Sequence, residues 1–305
     1  MKAIVVGMGI QGNKRKKFLG KNFIYSVDKF KRADFKSIYE VPLNDFDTVF
    51  ICIPDNEKLK VVNYCINNKK HVLLEKPFLA HSSKIFLGLE KHARKKRVVC
   101  YTAYNHRFEP SITKMKDLLK SKKLGKLYKC RMFYGNGTSL LVKKSKWRDK
   151  GTGVLTDIGS HLLDICLYWF GKKIRSLKVI ELNKFENNAP DHAIVILEIN
   201  KVKIELEMSL CMWKNTFTCD LLASKGSAHL DSLCKWSKNT FIYRKRKFPS
   251  GKPIEKIISF EQGDPTWRSE YLFFKSLIKK NKKINLKRDL ILNREFAKIK
   301  KYNFS

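Results

Sequence analysis

The segment Lys2-Ala3-Ile4-Val5-Val6-Gly7-Met8-Gly9-Ile10-Gln11-Gly12 joins a short apolar run to three glycines spaced as G-x-G-x-x-G. Between a strand and a helix, the first glycine permits a tight turn, the second lets the backbone approach a pyrophosphate, and the third lets the helix pack closely on the strand. The N–H groups that open the helix would face the phosphates. We therefore expect Gly7, Met8, Gly9, Ile10, Gln11 and Gly12 to bind a dinucleotide, with a ligand-free glycine turn as the structural alternative.

The residues after this turn continue the alternation of strands and helices. Apolar, β-rich runs recur at 23–27, 47–53, 71–74 and 98–104, and helix-like stretches lie at 57–69 and 81–96. Such alternation is typical of a doubly wound parallel sheet with helices on both faces. The pattern predicts an α/β fold that begins with an NAD(P)-binding Rossmann domain over residues 1–108.

A different pattern begins after Pro110. Helix-like segments lie at 111–122, 154–170, 267–280 and 287–301, and strand-like runs lie at 127–134, 174–182, 192–199, 202–211 and 216–223. Several of these strands follow one another directly and alternate apolar with charged residues, which is typical of an antiparallel sheet with one open face. We expect residues 109–305 to form an α+β domain with a large, mostly antiparallel open sheet. This domain would bind the substrate and mediate oligomerisation, and its C-terminal helix could pack back on the Rossmann domain.

The 305-residue chain carries a net charge of +36, the sign expected of a protein that binds a polyanion. Of its 64 basic residues 51 are lysines, and they are spread along the whole chain. Nucleic-acid surfaces rely more heavily on arginine, whose planar fork matches phosphates and guanine edges. The composition therefore favours a general lysine bias without a nucleic-acid partner, and it leaves an anionic ligand or surface as the alternative.

The cysteine pattern and the absence of long apolar runs bear on the compartment. The eight cysteines include no C-x-x-C and no paired Cys/His spacing, which is typical of reduced, mostly buried thiols and predicts no metal site. No apolar run reaches the roughly 18 residues of a membrane-spanning helix. The first apolar run is interrupted early by glycine, which favours a strand over a signal peptide. These features predict a cytoplasmic protein with no membrane partner.

Asp28 follows the second predicted strand, 20 residues or so after the glycine turn. A carboxylate in this position accepts hydrogen bonds from the adenosine ribose hydroxyls, which favours NAD as the cofactor. The basic residues just beyond it, Lys29, Lys31 and Arg32, could hold a ribose 2′-phosphate and leave NADP open. An exposed acid at a strand end is the structural alternative for Asp28.

Two further motifs carry acid–base residues. Glu75-Lys76-Pro77 places Lys76 at the carboxyl end of a predicted strand, the edge where open α/β sheets bind ligands. In the predicted helix after Gly153, Asp157 and His161 are four residues apart and therefore share one face. A carboxylate, an imidazole and a lysine from another domain form an acid–base set. The structural alternatives are a core histidine for His161 and a solvated or ion-paired lysine for Lys76.

Together these motifs resemble those of the Gfo/Idh/MocA oxidoreductases, named after glucose-fructose oxidoreductase, inositol dehydrogenase and a rhizopine catabolism protein. The glycine turn, the E-K-P, the segment Asn105-His106-Arg107-Phe108 and the D-x-G-x-H helix occur in family order along essentially the whole chain. The resemblance implies an NAD(P)-dependent dehydrogenase or reductase that transfers a hydride between nicotinamide and a hydroxyl or ketone of a sugar, nucleotide sugar or cyclitol. It also implies a homodimer or homotetramer.

The resemblance implies specific roles for the matching residues. Lys76, Asp157 and His161 would line the active site, with His161 exchanging the hydroxyl proton, Asp157 orienting the substrate or His161, and Lys76 stabilising negative charge on oxygen. The cofactor would also contact Ile53, Pro54, Glu75 and Lys76. The substrate would contact Asn105, Arg107, Trp147, Arg148, Asp157 and His161, although Arg148 could instead form a structural salt bridge.

The chain departs from the family pattern at three places. The glycines before the catalytic helix are Gly151-Thr152-Gly153, Lys58 stands where the family often has a histidine, and the stretch from Asp28 to Asp47 leaves little room for the usual helix. The last change puts the adenine pocket and the choice of cofactor in doubt. A catalytically silent, NAD-binding sensor or regulatory protein of the same fold is the alternative function.

Overall fold

The computed structural model describes residues 1–145, 148–171, 173–280 and 286–299. The chain forms two compact units, of which the first comprises Met1–Tyr104 and Trp267–Arg294 and the second comprises Asn105–Thr266 and Glu295–Ser305. The functional division at residue 108 stays a prediction. In the structure, the first unit is completed by chain from the C-terminal region.

The first unit is built on a five-stranded parallel sheet, as predicted. Its strands are β1 (Ala3–Val6), β2 (Phe23–Val27), β3 (Thr48–Ile51), β4 (His71–Glu75) and β5 (Cys100–Ala103), in the order β2-β1-β3-β4-β5. Every residue of β1, β3 and β5 is buried, because helices cover both faces of the sheet, and most of these side chains are apolar.

Helices from both ends of the chain pack on this sheet. They are α1 (Ile10–Leu19), α2 (Asp55–Asn67) and α3 (Ser83–Lys96), together with α7 (Thr266–Lys279) and the greater part of α8 (Lys287–Ile299). Phe274 of α7 is fully buried, with its ring centroid 5.7 Å from that of Phe50 and 6.0 Å from that of Tyr101. The apolar face of α7 therefore forms part of the core of the first unit.

The connection between β2 and β3 is short, as predicted. It contains one 3-10 turn, Ile38–Glu40, in place of an α-helix, and Phe35 forms a single parallel bridge with Val27. Phe35 thus occupies the position beside β2 where a further edge strand would lie in the usual Rossmann strand order.

The second unit contains an eight-stranded, mostly antiparallel sheet, as predicted. Its strands are β6 (Leu127–Gly135), β7 (Ile174–Asn183), β8 (His192–Ile199), β9 (Val202–Ser209), β10 (Thr216–Ala223), β11 (Gly226–Asp231), β12 (Asn239–Lys245) and β13 (Ile254–Phe260). They lie in the order β13-β12-β11-β10-β6-β9-β8-β7, and the β6–β9 pair is the parallel one. The last three strands were not predicted, because β13 is a largely exposed edge strand and β12 ends in basic residues.

Helices α4 (Pro110–Lys120), α5 (Ser139–Lys143) and α6 (Val154–Phe170) complete the second unit. Helix α6 is apolar almost all round, which is the pattern of a helix enclosed in a core. A Cβ on Gly159 would lie 2.9 Å from the sulfur of Met208 in β9, so this glycine allows α6 to approach the sheet.

Ion pairs line the other face of the sheet. Lys129 and Arg131 of β6 both contact Glu205 of β9, and His229 of β11 lies 2.6 Å from Asp220 of β10.

No helix among the described residues is long and apolar enough to span a bilayer. All eight cysteines are free and six of them are buried.

Candidate active site

The glycine turn lies at the point where the strand order of the first sheet reverses direction. Gly7 donates its N–H to the carbonyl of Val27 at 2.8 Å, and Cys52 donates its N–H to the carbonyl of Val6 at 2.7 Å, so the carboxyl ends of β1, β2 and β3 meet here. Ligands of open α/β sheets bind in the crevice at such a switch point. Ile53 and Pro54, predicted to contact the cofactor, directly follow Cys52, and Pro54 precedes α2.

Each glycine of the turn meets a different local requirement. Gly7 has a φ of +94°, and a Cβ there would lie 2.5 Å from the carbonyl oxygen of Cys52. A Cβ on Gly12 would lie 1.8 Å from the carbonyl oxygen of Gly7, so the start of α1 packs directly on the turn. These two glycines are therefore required by the fold itself.

Gly9 differs, because a Cβ at this position would meet no atom of the protein within 4 Å. Gly9 precedes α1 with an extended backbone, and no side chain among the described residues caps the helix. Ile10 and Gln11, the first residues of α1, are exposed. The free N–H groups and positive end of the helix, beside an unobstructed glycine, fit the pyrophosphate of a dinucleotide.

Asp28 holds this turn in place. One carboxylate oxygen accepts the Met8 N–H at 2.6 Å, and the other accepts the N–H groups of Phe30 and Lys31 at 2.9 and 2.8 Å. Burial acts to raise the pKa of Asp28, but the hydrogen bonds from Lys31, Met8 and Phe30 outweigh it, so the pKa is lowered. A carboxylate offers about four acceptor positions. One position therefore remains for a ribose hydroxyl.

The Glu75-Lys76-Pro77 segment follows β4, and the peptide bond between Lys76 and Pro77 is cis. Lys58 of α2 holds the backbone on both sides of Lys76. Its ammonium group, which is buried, donates to the carbonyl oxygens of Glu75 at 2.7 Å and Pro77 at 2.8 Å, and to the Asp55 carboxylate at 2.6 Å. Lys58 thus fixes the main chain that carries Lys76.

A second buried cation holds the Glu75 side chain. Arg15 of α1 donates to Glu75 at 2.7 Å and to the fully buried Glu270 at 2.7 Å, and Tyr101 donates to the other oxygen of Glu270 at 3.2 Å. Burial acts to lower the pKa of Arg15, but the negative charges of Glu75 and Glu270 outweigh this effect. The pKa of Arg15 is therefore raised, and the guanidinium stays charged. Glu75 is therefore committed to an ion pair with Arg15.

In the second unit, α6 carries three ionisable side chains on one face: Asp157, His161 and Asp164, spaced four and three residues apart. Arg148 donates to Asp157 at 2.6 Å, and Arg107 forms a two-pronged ion pair with Asp164. Burial raises the pKa of Asp164, against the opposing effect of the Arg107 charge. His161 lies between the two ion pairs on the helix.

The imidazole of His106 stacks on that of His161, with ring centroids 3.9 Å apart and planes at 19°. Both histidines are largely buried. The ammonium nitrogen of Lys235 lies 3.4 Å from Nε2 of His106 and donates to the hydroxyl of Tyr134 at 3.1 Å. The structure thus places His161 in a cluster of histidine, tyrosine and lysine.

The predicted site residues fall in both units. Gly7–Gly12, Asp28, Ile53, Pro54, Glu75 and Lys76 lie in the first unit; Asn105, Arg107, Arg148, Asp157 and His161 lie in the second, where Asn105 donates to the hydroxyl of Thr266 at 2.8 Å. Trp147 lies outside the described residues. Among the described residues no three His, Cys, Asp or Glu side chains form a group that could hold a metal ion.

Several residues of these clusters were not expected from the sequence, among them Arg15, His106, Lys235 and Glu270. His106 lies inside a motif that the sequence singled out, so its position gave a signal. No signal in the sequence pointed to Lys235, because it lies between β11 and β12, two strands that were not predicted. Arg15 and Glu270 are 255 residues apart, and nothing in a single sequence links them.

Two family models match the chain. Residues 2–104 match the model described as an oxidoreductase family with an NAD-binding Rossmann fold, and residues 112–229 match the model of the Gfo/Idh/MocA C-terminal domain. Together these matches cover more than half of the chain.

Curated relatives are distant. The chain is 29% identical over 133 residues to an uncharacterized oxidoreductase of Schizosaccharomyces pombe, covering 42% of this chain and 35% of that protein. It is 24% identical over 263 residues to glucose-6-phosphate 3-dehydrogenase of Bacillus subtilis, covering 76% and 72%. It is 24% identical over 131 residues to myo-inositol 2-dehydrogenase of Thermotoga maritima, covering 43% and 38%. The matched region thus spans little more than a third of the length of the Schizosaccharomyces pombe protein and of the Thermotoga maritima protein.

Solved structures share the fold over nearly the whole chain. Levoglucosan dehydrogenase in complex with NADH superposes with a TM-score of 0.80 at 15% identity, covering 98% of this chain and 97% of that one. UDP-N-acetylglucosamine 3-dehydrogenase from Acidithiobacillus ferrooxidans superposes with a TM-score of 0.78 at 15% identity, covering 98% and 96%. At such identities these likenesses are evidence for the fold alone.

Proposed function

Because the chain belongs to the Gfo/Idh/MocA oxidoreductase family, we propose that it is an NAD(P)-dependent dehydrogenase or reductase that acts on a hydroxyl or ketone group of a sugar, nucleotide sugar or cyclitol. The observation that carries this proposal is that His161 and Asp157 lie on one face of α6, in the domain that matches the family's C-terminal model. Relatives named for glucose 6-phosphate, myo-inositol and levoglucosan support this range of substrates.

The first unit would hold the cofactor. The N-terminus of α1 and the open side of Gly9 would take the pyrophosphate, and Asp28 would take a ribose hydroxyl. When bound, the nicotinamide supplies a hydride acceptor or donor for the two-electron step. Arg15 and Lys58 would keep the Glu75–Pro77 segment in place beside this site.

The acid–base work falls to this chain's own side chains. His161 would take the proton of the reacting hydroxyl during oxidation and return it during reduction. Asp157, held by Arg148, would orient the substrate or the imidazole, and Lys76 would stabilise the negative charge that develops on the reacting oxygen. A proton-transfer group of this kind typically contributes about 10²–10⁴-fold in rate.

We propose NAD as the preferred cofactor, with NADP as the alternative. The ionised Asp28, whose pKa is lowered, lies where a ribose 2′-phosphate would be repelled. Lys29, Lys31 and Arg32 beside it are exposed and would instead attract that phosphate. Comparing the Kd of NADH with that of NADPH in the protein and in Asp28→Ser measures which influence prevails.

The experiment that tests the proposed activity follows cofactor reduction at 340 nm across sugars, cyclitols and nucleotide sugars, with NAD and NADP in parallel. Turnover of a member of these classes is the expected result. Binding of NADH with no turnover of any member, and no reduction of the corresponding ketones, would contradict the enzyme and support the silent sensor.

Self-association, a cytoplasmic location and the lack of a nucleic-acid partner stay predictions. The outer face of the second sheet exposes Ile196 and Leu222 among its ion pairs, and such a mixed face suits contact with a second copy. Light scattering would give the oligomer size. A salt titration with DNA and RNA at about 150 mM salt would detect nucleic-acid binding.

A further inference from the structure

The ammonium group of Lys235 is held in a defined position in the second unit. Lys235 lies between β11 and β12, donates to the Tyr134 hydroxyl at 3.1 Å, and has its nitrogen 3.4 Å from Nε2 of His106. The same nitrogen lies over the Trp236 ring, 4.5 Å from its centroid. Hydrogen bonding and cation–π attraction both act on this charge, which reduces its freedom before any ligand binds.

Only one imidazole ring separates this ammonium group from His161. The ring of His106 stacks on that of His161 at 3.9 Å between centroids, and Lys235 contacts the Nε2 atom of His106. A small sugar or cyclitol with its reacting hydroxyl at His161 could therefore extend a substituent on another carbon to Lys235.

Lys235 differs from the two arginines beside α6 in its ion pairing. Along α6, Arg107 is committed to Asp164 and Arg148 to Asp157, whereas in the part of the chain that the structure describes no Asp or Glu forms an ion pair with Lys235. The nearby buried Glu109 accepts the Cys234 N–H at 3.2 Å; burial raises the pKa of Glu109, while this hydrogen bond and the charge of Lys235 act to lower it. An ammonium group has three donors; the Tyr134 hydroxyl accepts one, and Nε2 of His106 accepts a second when that nitrogen is unprotonated.

From these contacts we infer that Lys235 forms a subsite for an anionic group of the substrate, a phosphate or a carboxylate on a carbon other than the reacting one. The inference rests on the function proposed above and narrows its substrate class to charged sugars or cyclitols. Lys235 is exposed, but its ammonium group is held by the Tyr134 hydroxyl and the Trp236 ring, so it loses less freedom on binding an anion than a freely moving lysine does. The lysine therefore selects anionic over neutral substrates.

The test compares neutral sugars with their charged counterparts on the full chain. Glucose, glucose 6-phosphate and glucuronate form one such set, and galactose and mannose with their 6-phosphates and uronic acids form two more. For each sugar, kcat and KM are measured with NAD for the protein, for Lys235→Gln and for Lys238→Gln. Lys238 is a matched control, since it is an exposed lysine three residues away that pairs with Glu261 at 3.2 Å.

We expect a charged member to be preferred over its neutral counterpart. Lys235→Gln should raise KM for the charged member roughly 10- to 100-fold, with little change for the neutral one, and Lys238→Gln should leave both unchanged. The phosphate and uronic acid arms identify which anion is recognised. An equal loss for neutral and charged members would give Lys235 a merely structural role and overturn the inference, as would a preference that survives in Lys235→Gln.

Titration calorimetry of glucose 6-phosphate and glucose into the NADH-loaded protein separates this inference from the proposed activity. Turnover of neutral sugars without preference for charged ones leaves the activity standing and removes the subsite. Binding of glucose 6-phosphate that depends on Lys235, without turnover of any sugar, supports the subsite and contradicts the activity. If the protein neither turns over nor binds the charged sugars, the subsite is also refuted.

Discussion

The buried ammonium group of Lys58 donates a hydrogen bond of 2.7 Å to the main-chain carbonyl oxygen of Glu75. Its second bond, to the carbonyl of Pro77, lies on the other side of Lys76. A buried ammonium group must find acceptors, and these two main-chain carbonyl oxygens provide them. Lys58 therefore fixes the main chain on both sides of the predicted catalytic lysine.

Replacing Lys58 tests this positioning role. Lys58→Met removes the charged donor from both carbonyl oxygens, which should cost about 1–3 kcal/mol of stability. It should also lower kcat more than it weakens NADH binding, because Lys76 loses its fixed backbone. Lys58→His restores one donor and should recover part of kcat, and the exposed Lys60 serves as a control through Lys60→Met. Equal loss of kcat in Lys58→Met and Lys60→Met would contradict the role.

Gly9 and Gly12 should respond differently to the same substitution. Gly12→Ala brings a Cβ against the carbonyl oxygen of Gly7 and should destabilise the protein by at least about 1–3 kcal/mol. Gly9→Ala meets no protein atom, so thermal stability should persist while NADH binds more weakly. Melting curves and fluorescence titration with NADH measure the two effects. Native NADH affinity in Gly9→Ala would place the pyrophosphate elsewhere.

Stability should fall as the pH drops below about 6.5 because of His71. Burial lowers the pKa of His71, and its Nδ1 accepts the Val99 N–H at 3.0 Å, which requires an unprotonated nitrogen. The unfolded chain binds this proton at higher pH than the folded chain does, so stability is full above the unfolded pKa near 6.5 and is lost towards the lower folded pKa.

Melting temperatures between pH 7 and pH 5 check this dependence. His71→Gln should flatten the decrease, whereas His81→Gln, which alters an exposed histidine of the same unit, should retain it. The same slope in His71→Gln and in the unaltered protein would assign the acid sensitivity to other groups.

Features with a local signal could be predicted from the sequence. Helix α6 begins and ends where its pattern places it, since Gly153 and Gly171 flank an apolar run that only a buried helix accommodates. The glycine turn was likewise recognisable, because spacing and context are both local. Strand β13 was not predicted, because its side chains are mostly exposed and lack an apolar alternation.

The partners of the ionisable groups could not be predicted, because long-range packing determines them. Arg107 was expected to contact substrate, and in the structure it is committed to Asp164, 57 residues away. That Arg107 contacts the substrate stays a prediction. The ion pair with Asp164 gives Arg107 a structural role as well. Arg148 pairs with Asp157 only nine residues away, which sequence analysis had left as an alternative.

The central claim, that Lys76 and His161 carry the chemistry, is tested most directly by the turnover number of Lys76→Ala and His161→Ala on the best substrate of the cofactor-reduction screen, with NADH affinity measured on the same samples. The account predicts a loss of at least about 100-fold in kcat for each variant, with NADH binding largely intact. Full activity in either variant would contradict it.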